Sequence, residues 1–136
     1  MKIIALKGRG NCGKSETLGI HLRSLLHGMM SSPLERAFGK DSREMIFLEH
    51  KVIDICPPGD TEQIVRDNIA FFEANPCDIA FTATRSRGRG CWALEEYAHQ
   101  VGAELGWILK RPNDDLDKHG QTEMNVRLAE NLLKMI

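Results

Sequence analysis

The sequence predicts an α/β domain, a three-layer sandwich in which a mainly parallel sheet of about four or five strands carries helices on both faces. Three observations lead there. Short apolar runs rich in strand formers alternate with stretches whose apolar residues recur at helical spacing. Glycine and proline clusters punctuate each change of period. The 136 residues have room for a single domain, 1–136, and hydrophobic residues at 42% against 27% charged ones suffice for a core without staples. Strands separated by helices run parallel through right-handed crossovers, so their C-terminal edges gather on one side, where such sheets bind ligands.

Lys2-Ile3-Ile4-Ala5-Leu6 reads as a buried first strand and runs straight into Gly8, Gly10 and Gly13. From Lys14 the period changes: Leu18, Leu22, Leu25 and Met29 fall on one face of a helix that Gly28 and Ser31-Ser32-Pro33 end. A polar loop follows to Arg43, with one turn of helix at Leu34 to Phe38. Met45 to Leu48 and Val52 to Ile55 are strand-like, either two arms of a hairpin or one long strand, and Cys56-Pro57-Pro58-Gly59 stops them. Asp60 and Gln63 have capping-box spacing ahead of a helix whose apolar face is Ile64, Val65, Ile69 and Phe72; Asn75-Pro76 ends it.

Ile79 to Thr84 is the next strand, followed by the Arg-Gly stretch Arg85 to Gly90. A helix with Leu94, Ala98 and Val101 inward stops at Gly102. Leu105 to Leu109 is the last strand, and the polar segment Lys110 to Gln121 leads to a final helix with Met124, Leu128, Leu132 and Met135 on one face. Trp92 and Trp107 are expected in the core or partly buried.

Charge and cysteine usage narrow the function classes. Lys plus Arg number 18 against 19 Asp plus Glu, a net charge of -1, so no global field recruits nucleic acid or an anionic membrane. No apolar run reaches the roughly 18 residues of a membrane span. Cys12, Cys56, Cys77 and Cys91 form no C-x-x-C pair, and with no secretory signal they read as reduced thiols in a cytoplasmic protein. The five histidines show no ligand spacing, so no structural metal is expected.

The sharpest signal is Gly8-Arg9-Gly10-Asn11-Cys12-Gly13-Lys14-Ser15, which matches G-x-x-x-x-G-K-[ST] between an expected strand and an expected helix. The residue types suit anion binding. Glycines let consecutive backbone N–H groups turn around a phosphate, the helix start adds its positive end, Lys14 reaches the outer phosphates and Ser15 serves Mg²⁺. Cys12 lies at a helix N-terminus, where a thiol's pKa tends to fall and modification would block the loop.

On these residues the chain resembles the P-loop NTPase superfamily, strictly over Ile3 to Thr17 and architecturally over the rest. The resemblance implies ATP, with GTP possible, bound with Mg²⁺ through Gly8, Arg9, Gly10, Asn11, Cys12, Gly13, Lys14, Ser15, Glu16 and Thr17. ATP is preferred because nothing matches the N-K-x-D guanine motif. Two departures stand out. Glu16 occupies the place of a second hydroxyl residue, with Thr17 one later, and Arg9 stands where partition-type members carry a signature Lys.

The acid that supports Mg²⁺ is expected at Asp54, which also serves as a candidate general base; Glu49 is second, and Asp78 lies at the wrong edge. Thr82, Thr84 and Ser86 would reach the Mg²⁺ water shell if their strand lies beside the first, and hydrolysis would then be slow. Arg85, Arg87 and Arg89 are placed to grip a γ-phosphate, an acceptor phosphate or a nucleic-acid backbone. Under the resemblance, the loop Lys110 to Asp115 faces the base, with Arg111 stacking on the purine and Asn113 or Asp114 at its edge. Two function classes follow. One is phosphoryl transfer, by slow hydrolysis or to a small-molecule or protein acceptor, with Lys14, Asp54, Arg85 and Arg87 as catalytic residues. The other is a nucleotide-dependent protein-interaction module with little turnover.

Overall fold

The computed structural model describes residues 1–30, 38–112 and 114–136. The turn of helix expected at Leu34 to Phe38 lies outside them except for Phe38, as does Asn113. In chain order the elements are β1 (Lys2–Lys7), α1 (Lys14–Glu16), a π-helical stretch (Thr17–Leu22), α2 (Arg23–Gly28), β2 (Glu44–Phe47), β3 (Val52–Cys56), α3 (Glu62–Ala74), β4 (Ile79–Thr84), α4 (Arg89–Val101), β5 (Glu104–Leu109) and α5 (Lys118–Leu133). They build an α/β domain on one five-stranded sheet of order β2-β3-β4-β1-β5. β3, β4, β1 and β5 run parallel; β2 is the antiparallel arm of a hairpin with β3. The hairpin alternative is therefore the observed one, closed by Leu48 N donating to Lys51 O at 2.8 Å. Among the described residues no helix is long and apolar enough to cross a membrane.

Side chains of a strand point alternately to the two sheet faces, and the core divides accordingly. Ile4 and Leu6 of β1, with Ile53, Ile55 and Phe81, meet Leu18, Leu22 and Leu26 of the first helix and Ala129 and Leu132 of α5. Ile3 and Ala5, with Cys56 and Ala80, meet Val65 and Phe72 of α3 and Leu94, Tyr97 and Ala98 of α4. Each face of the central strands is thus sealed by two helical segments. Every parallel strand delivers its C-terminal end to the same edge, and Lys7 stands in register with Thr84 and Leu109 there.

The first helix departs from the expected pattern in one respect. Leu18, Leu22 and Leu26 are fully buried, whereas Leu25 is only partly buried and Met29 is 53% exposed. The π stretch explains the difference: i→i+5 bonding fits more residues into a turn and moves the inward face one position along. α5 shows a similar offset, with Asn125, Ala129 and Leu132 buried while Met135 is 41% exposed. Trp92, expected to be packed, is 65% exposed on α4, and Val101 is half exposed. Trp107 is partly buried, with the Lys7 ammonium 4.7 Å from its ring centre.

A buried ion cluster fastens the hairpin to the first helix. Glu44 of β2 is 4% exposed, forms an ion pair with Arg23 Nε at 3.4 Å and is hydrogen-bonded to His27 Nε2 at 2.8 Å. The same guanidinium donates to Gly39 O at 2.8 Å and to Ser42 O. Breaking such a cluster strands a buried charge, so it fixes geometry. What it fixes is the segment ahead of β2 that carries Lys40.

Candidate functional site

At the C-terminal edge of β1 the chain turns through residues 8–13 and enters α1. Asn11 has φ of 57° and Gly13 of 94°, with Cys12 between them outside the left-handed region. Alternation of hand along a loop gathers consecutive N–H groups on its concave side and forms an anion-binding nest. Among the described residues the backbone N–H groups of residues 9–13 have no carbonyl partner. Gly13 combines its left-handed conformation with close contact to α5: a Cβ there would lie 2.6 Å from Asn125 Oδ1. Thr17 Oγ1 donates back to Gly13 O at 2.7 Å and closes the loop from below.

Lys14 is 5% exposed and folds into this loop. Its ammonium donates to Gly8 O and, at 3.0 Å, to Arg9 O. Burial holds its pKa below the ordinary lysine value, with the Cys12 and Asp60 side chains working against the shift. A cavity of about 260 Å³ opens in front of Lys14, lined also by Asn11, Ser15, Lys40 and Asp60. Glu16 reaches it too. Its carboxylate is paired with Lys40 Nζ at 3.4 Å, which offsets the repulsion it would exert on an anion.

The carboxylate that approaches Lys14 is Asp60, with Oδ1 3.9 Å from Nζ and 3.5 Å from Arg85 Nε. The expected capping role of Asp60 is corrected here. Thr61 caps α3, its Oγ1 accepting from Ile64 N at 3.1 Å, and this frees Asp60 to face the loop. Two contacts hold the turn in place. Asn68, fully buried on α3, donates to Pro58 O at 2.7 Å, and Gly59 presses so closely on the Ala83 carbonyl that a Cβ would overlap it. Gly59→Ala should therefore push Asp60 out of the site and cost about 2–3 kcal/mol. Denaturant melts check this, and a midpoint equal to the parent's would show that the turn absorbs a methyl group.

The other expected acid is elsewhere. β3 continues to Cys56, so Asp54 lies in mid-strand and does not end it. It sits in register with Ala80 of β4, one strand removed from β1, and shares the α3/α4 face with Cys56. Asp54 is fully buried, its carboxylate has no polar neighbour among the described residues beyond the adjacent Cys77 thiol, and burial pushes its pKa up to about 7. The structure does not bring it to Lys14 or Ser15. Glu49 is exposed in the hairpin turn beside His50, away from this edge. The threonines of β4 are also differently engaged: Thr82 Oγ1 donates to Cys56 O at 3.0 Å and Thr84 Oγ1 to Arg85 O at 2.8 Å, so both hydroxyls are spent inside the fold.

All three arginines line a neighbouring cavity of about 190 Å³ whose wall includes Asp60 and Glu62. Arg85 also lies over the glycine loop, its guanidinium 3.0 Å from where a Cβ on Gly10 would stand. Arg9 is paired across the loop with Asp114. Arg111 is exposed and lines neither cavity. Cys12 is 1% exposed and packs against Gly8. Lys110, not singled out by the sequence, is 2% exposed behind Gly8, and burial lowers its pKa. Among the described residues no group of three or more His, Cys, Asp or Glu side chains is arranged to hold a metal ion.

No protein-family model, curated protein or solved structure matches this chain.

Proposed function

We propose that the chain is a P-loop protein that binds a purine nucleoside triphosphate, ATP in preference to GTP, together with Mg²⁺. One observation carries the reading: backbone donors of residues 9–13, without a carbonyl partner among the described residues, lie in one loop with a buried lysine amine at the sheet edge where α/β folds take ligands. Ser15 is the hydroxyl that would hold Mg²⁺ beside phosphate oxygens, and the metal would supply charge neutralisation there. Asp60 replaces Asp54 as the acid of the site. Its place between Lys14 and Arg85 suits orienting a water molecule or an acceptor hydroxyl and taking its proton as oxygen attacks the γ-phosphorus and the bond to the β-phosphate oxygen breaks. Lys14 and Arg85 carry the developing negative charge.

The binding claim is tested by melting. A ligand at 100 times its dissociation constant stabilises a fold by about 2.7 kcal/mol, several degrees for a domain of this size. Mg-ATP is expected to give that rise and Lys14→Ala to remove most of it; no rise with ATP, GTP or their diphosphates would overturn the reading. A second reading, a nucleotide-dependent interaction module, draws on Trp92, 65% exposed on the helix that begins at Arg89. Stabilisation by nucleotide without phosphate release would favour it.

A further inference from the structure

The glycine loop has a second side. Opposite the cavity that holds Lys14 lies a cleft of about 260 Å³ between the loop and α5. Asn11, Gly13 and Glu16 line both spaces, so one elongated ligand can cross the loop from one to the other. The far wall is α5, which presents Gln121, Thr122 and Asn125.

Asn125 is the telling residue. It is 5% exposed, and among the described residues its side chain makes no hydrogen bond, with Oδ1 buried and without a donor. Proteins rarely bury an amide oxygen unpaired, and the exceptions mark places where a ligand or solvent completes the set. The amide sits on a helix packed against the first helix, so its position relative to the loop is firm. Gln121 donates to Leu116 O at 2.9 Å through Nε2, which leaves its oxygen for the cleft.

We infer that this cleft seats the purine base of the nucleotide and that the Asn125 and Gln121 amides read its edge. The inference rests on the nucleotide reading above and goes further by placing the base against α5 instead of at Arg111. Three features favour a base over a second phosphate. A side-chain amide offers a donor and an acceptor side by side, the pattern that pairs with adjacent N–H and ring-nitrogen groups of a purine. Lys118 is the one cation in the lining. Glu16, the one carboxylate, is paired with Lys40. The surface is polar and nearly charge-balanced, as a neutral heterocycle requires.

Calorimetric titration of the full chain with ATP, GTP and inorganic tripolyphosphate, each with Mg²⁺, separates the two claims. The parent should bind one of the purine triphosphates at least about tenfold more tightly than tripolyphosphate. Gln121→Ala and Asn125→Leu should each remove about tenfold from that purine affinity and leave tripolyphosphate unchanged. Arg111→Ala should bind as the parent does. Asn125→Leu crowds Gly13, so its tripolyphosphate affinity reports any damage to the loop, and Gln121→Ala stands as the variant free of that contact. Equal affinity of the parent for tripolyphosphate and both nucleotides, unchanged purine affinity in Gln121→Ala, or loss of the purine increment in Arg111→Ala alone overturns the base site while the phosphate site survives. Absence of binding by all three ligands overturns the nucleotide reading itself.

Discussion

Arg85→Ala is expected to lose about 10³-fold in Mg-ATP turnover while its nucleotide-induced rise in melting temperature stays close to the parent's. The expectation comes from position. Arg85 is the arginine whose guanidinium lies over Gly10, and its Nε is 3.5 Å from Asp60, so it stands where the outer phosphate would meet its attacker. A charge stabilised only as it develops affects rate far more than affinity. Arg87 and Arg89 share the adjoining cavity with Arg85, but the contacts with Gly10 and Asp60 are those of Arg85, and the alanine variants of the other two should turn over within a few-fold of the parent. Phosphate release from the three single variants decides the point: a slow Arg87→Ala or Arg89→Ala beside a normal Arg85→Ala would move the role to that arginine.

Asp54→Asn is expected to stabilise the fold at pH 8 by up to about 4 kcal/mol and to leave it nearly unchanged at pH 4. An aspartate ordinarily ionises at 3.8, whereas Asp54 in the fold does so at about 7 because burial penalises its charge. Below pH of about 4 both folded and unfolded chains hold the proton, and Asp54 contributes no pH dependence. Between about 4 and 7 the unfolded chain releases a proton that the fold retains, so stability falls as pH rises. Above 7 the fold carries a buried charge with no cation to pair it. Its neighbour Cys77 stays a neutral thiol, pushed up to about 12 by burial and by Asp54, and offsets only part of that penalty. Paired denaturant melts from pH 4 to 8 test this, and parallel curves for parent and variant would contradict it.

Much of this arrangement is legible in the sequence. The apolar run Lys2 to Leu6 flowing into glycines, and the loop Gly8 to Ser15 opening a helix, are local features, and the fold honours them. Strand order is not local. Whether β4 or β3 borders β1 depends on contacts far apart in sequence, so Asp54 could be read as a strand-end acid when it lies buried one strand away. Asp60 was obscured by competition between two adjacent cap residues: Asp60 with Gln63 looks like a capping box, yet Thr61 takes the cap. Glu49-His50-Lys51 carries no Asn-Gly or Asp-Gly turn signal, which left the hairpin open. The arginines were equivalent in sequence, and only the close approach of Arg85 to Gly10 distinguishes them.

The π-helical stretch Thr17–Leu22 has a consequence for how the loop is aimed. Lys14 and Ser15 lie before it; Leu26, locked in the core, lies after it. One residue corresponds to about 100° of rotation in an α-helix. Winding the same residues as a regular α-helix, with Leu26 held in place, would swing Lys14 and Ser15 by about that angle around the axis, whereas deleting one residue from the wide turn would keep the two ends in phase. The stretch therefore works as a phase setting between two clients of the same helix, the hydrophobic core and the glycine loop, whose angular demands a uniform helix of this sequence would not meet together.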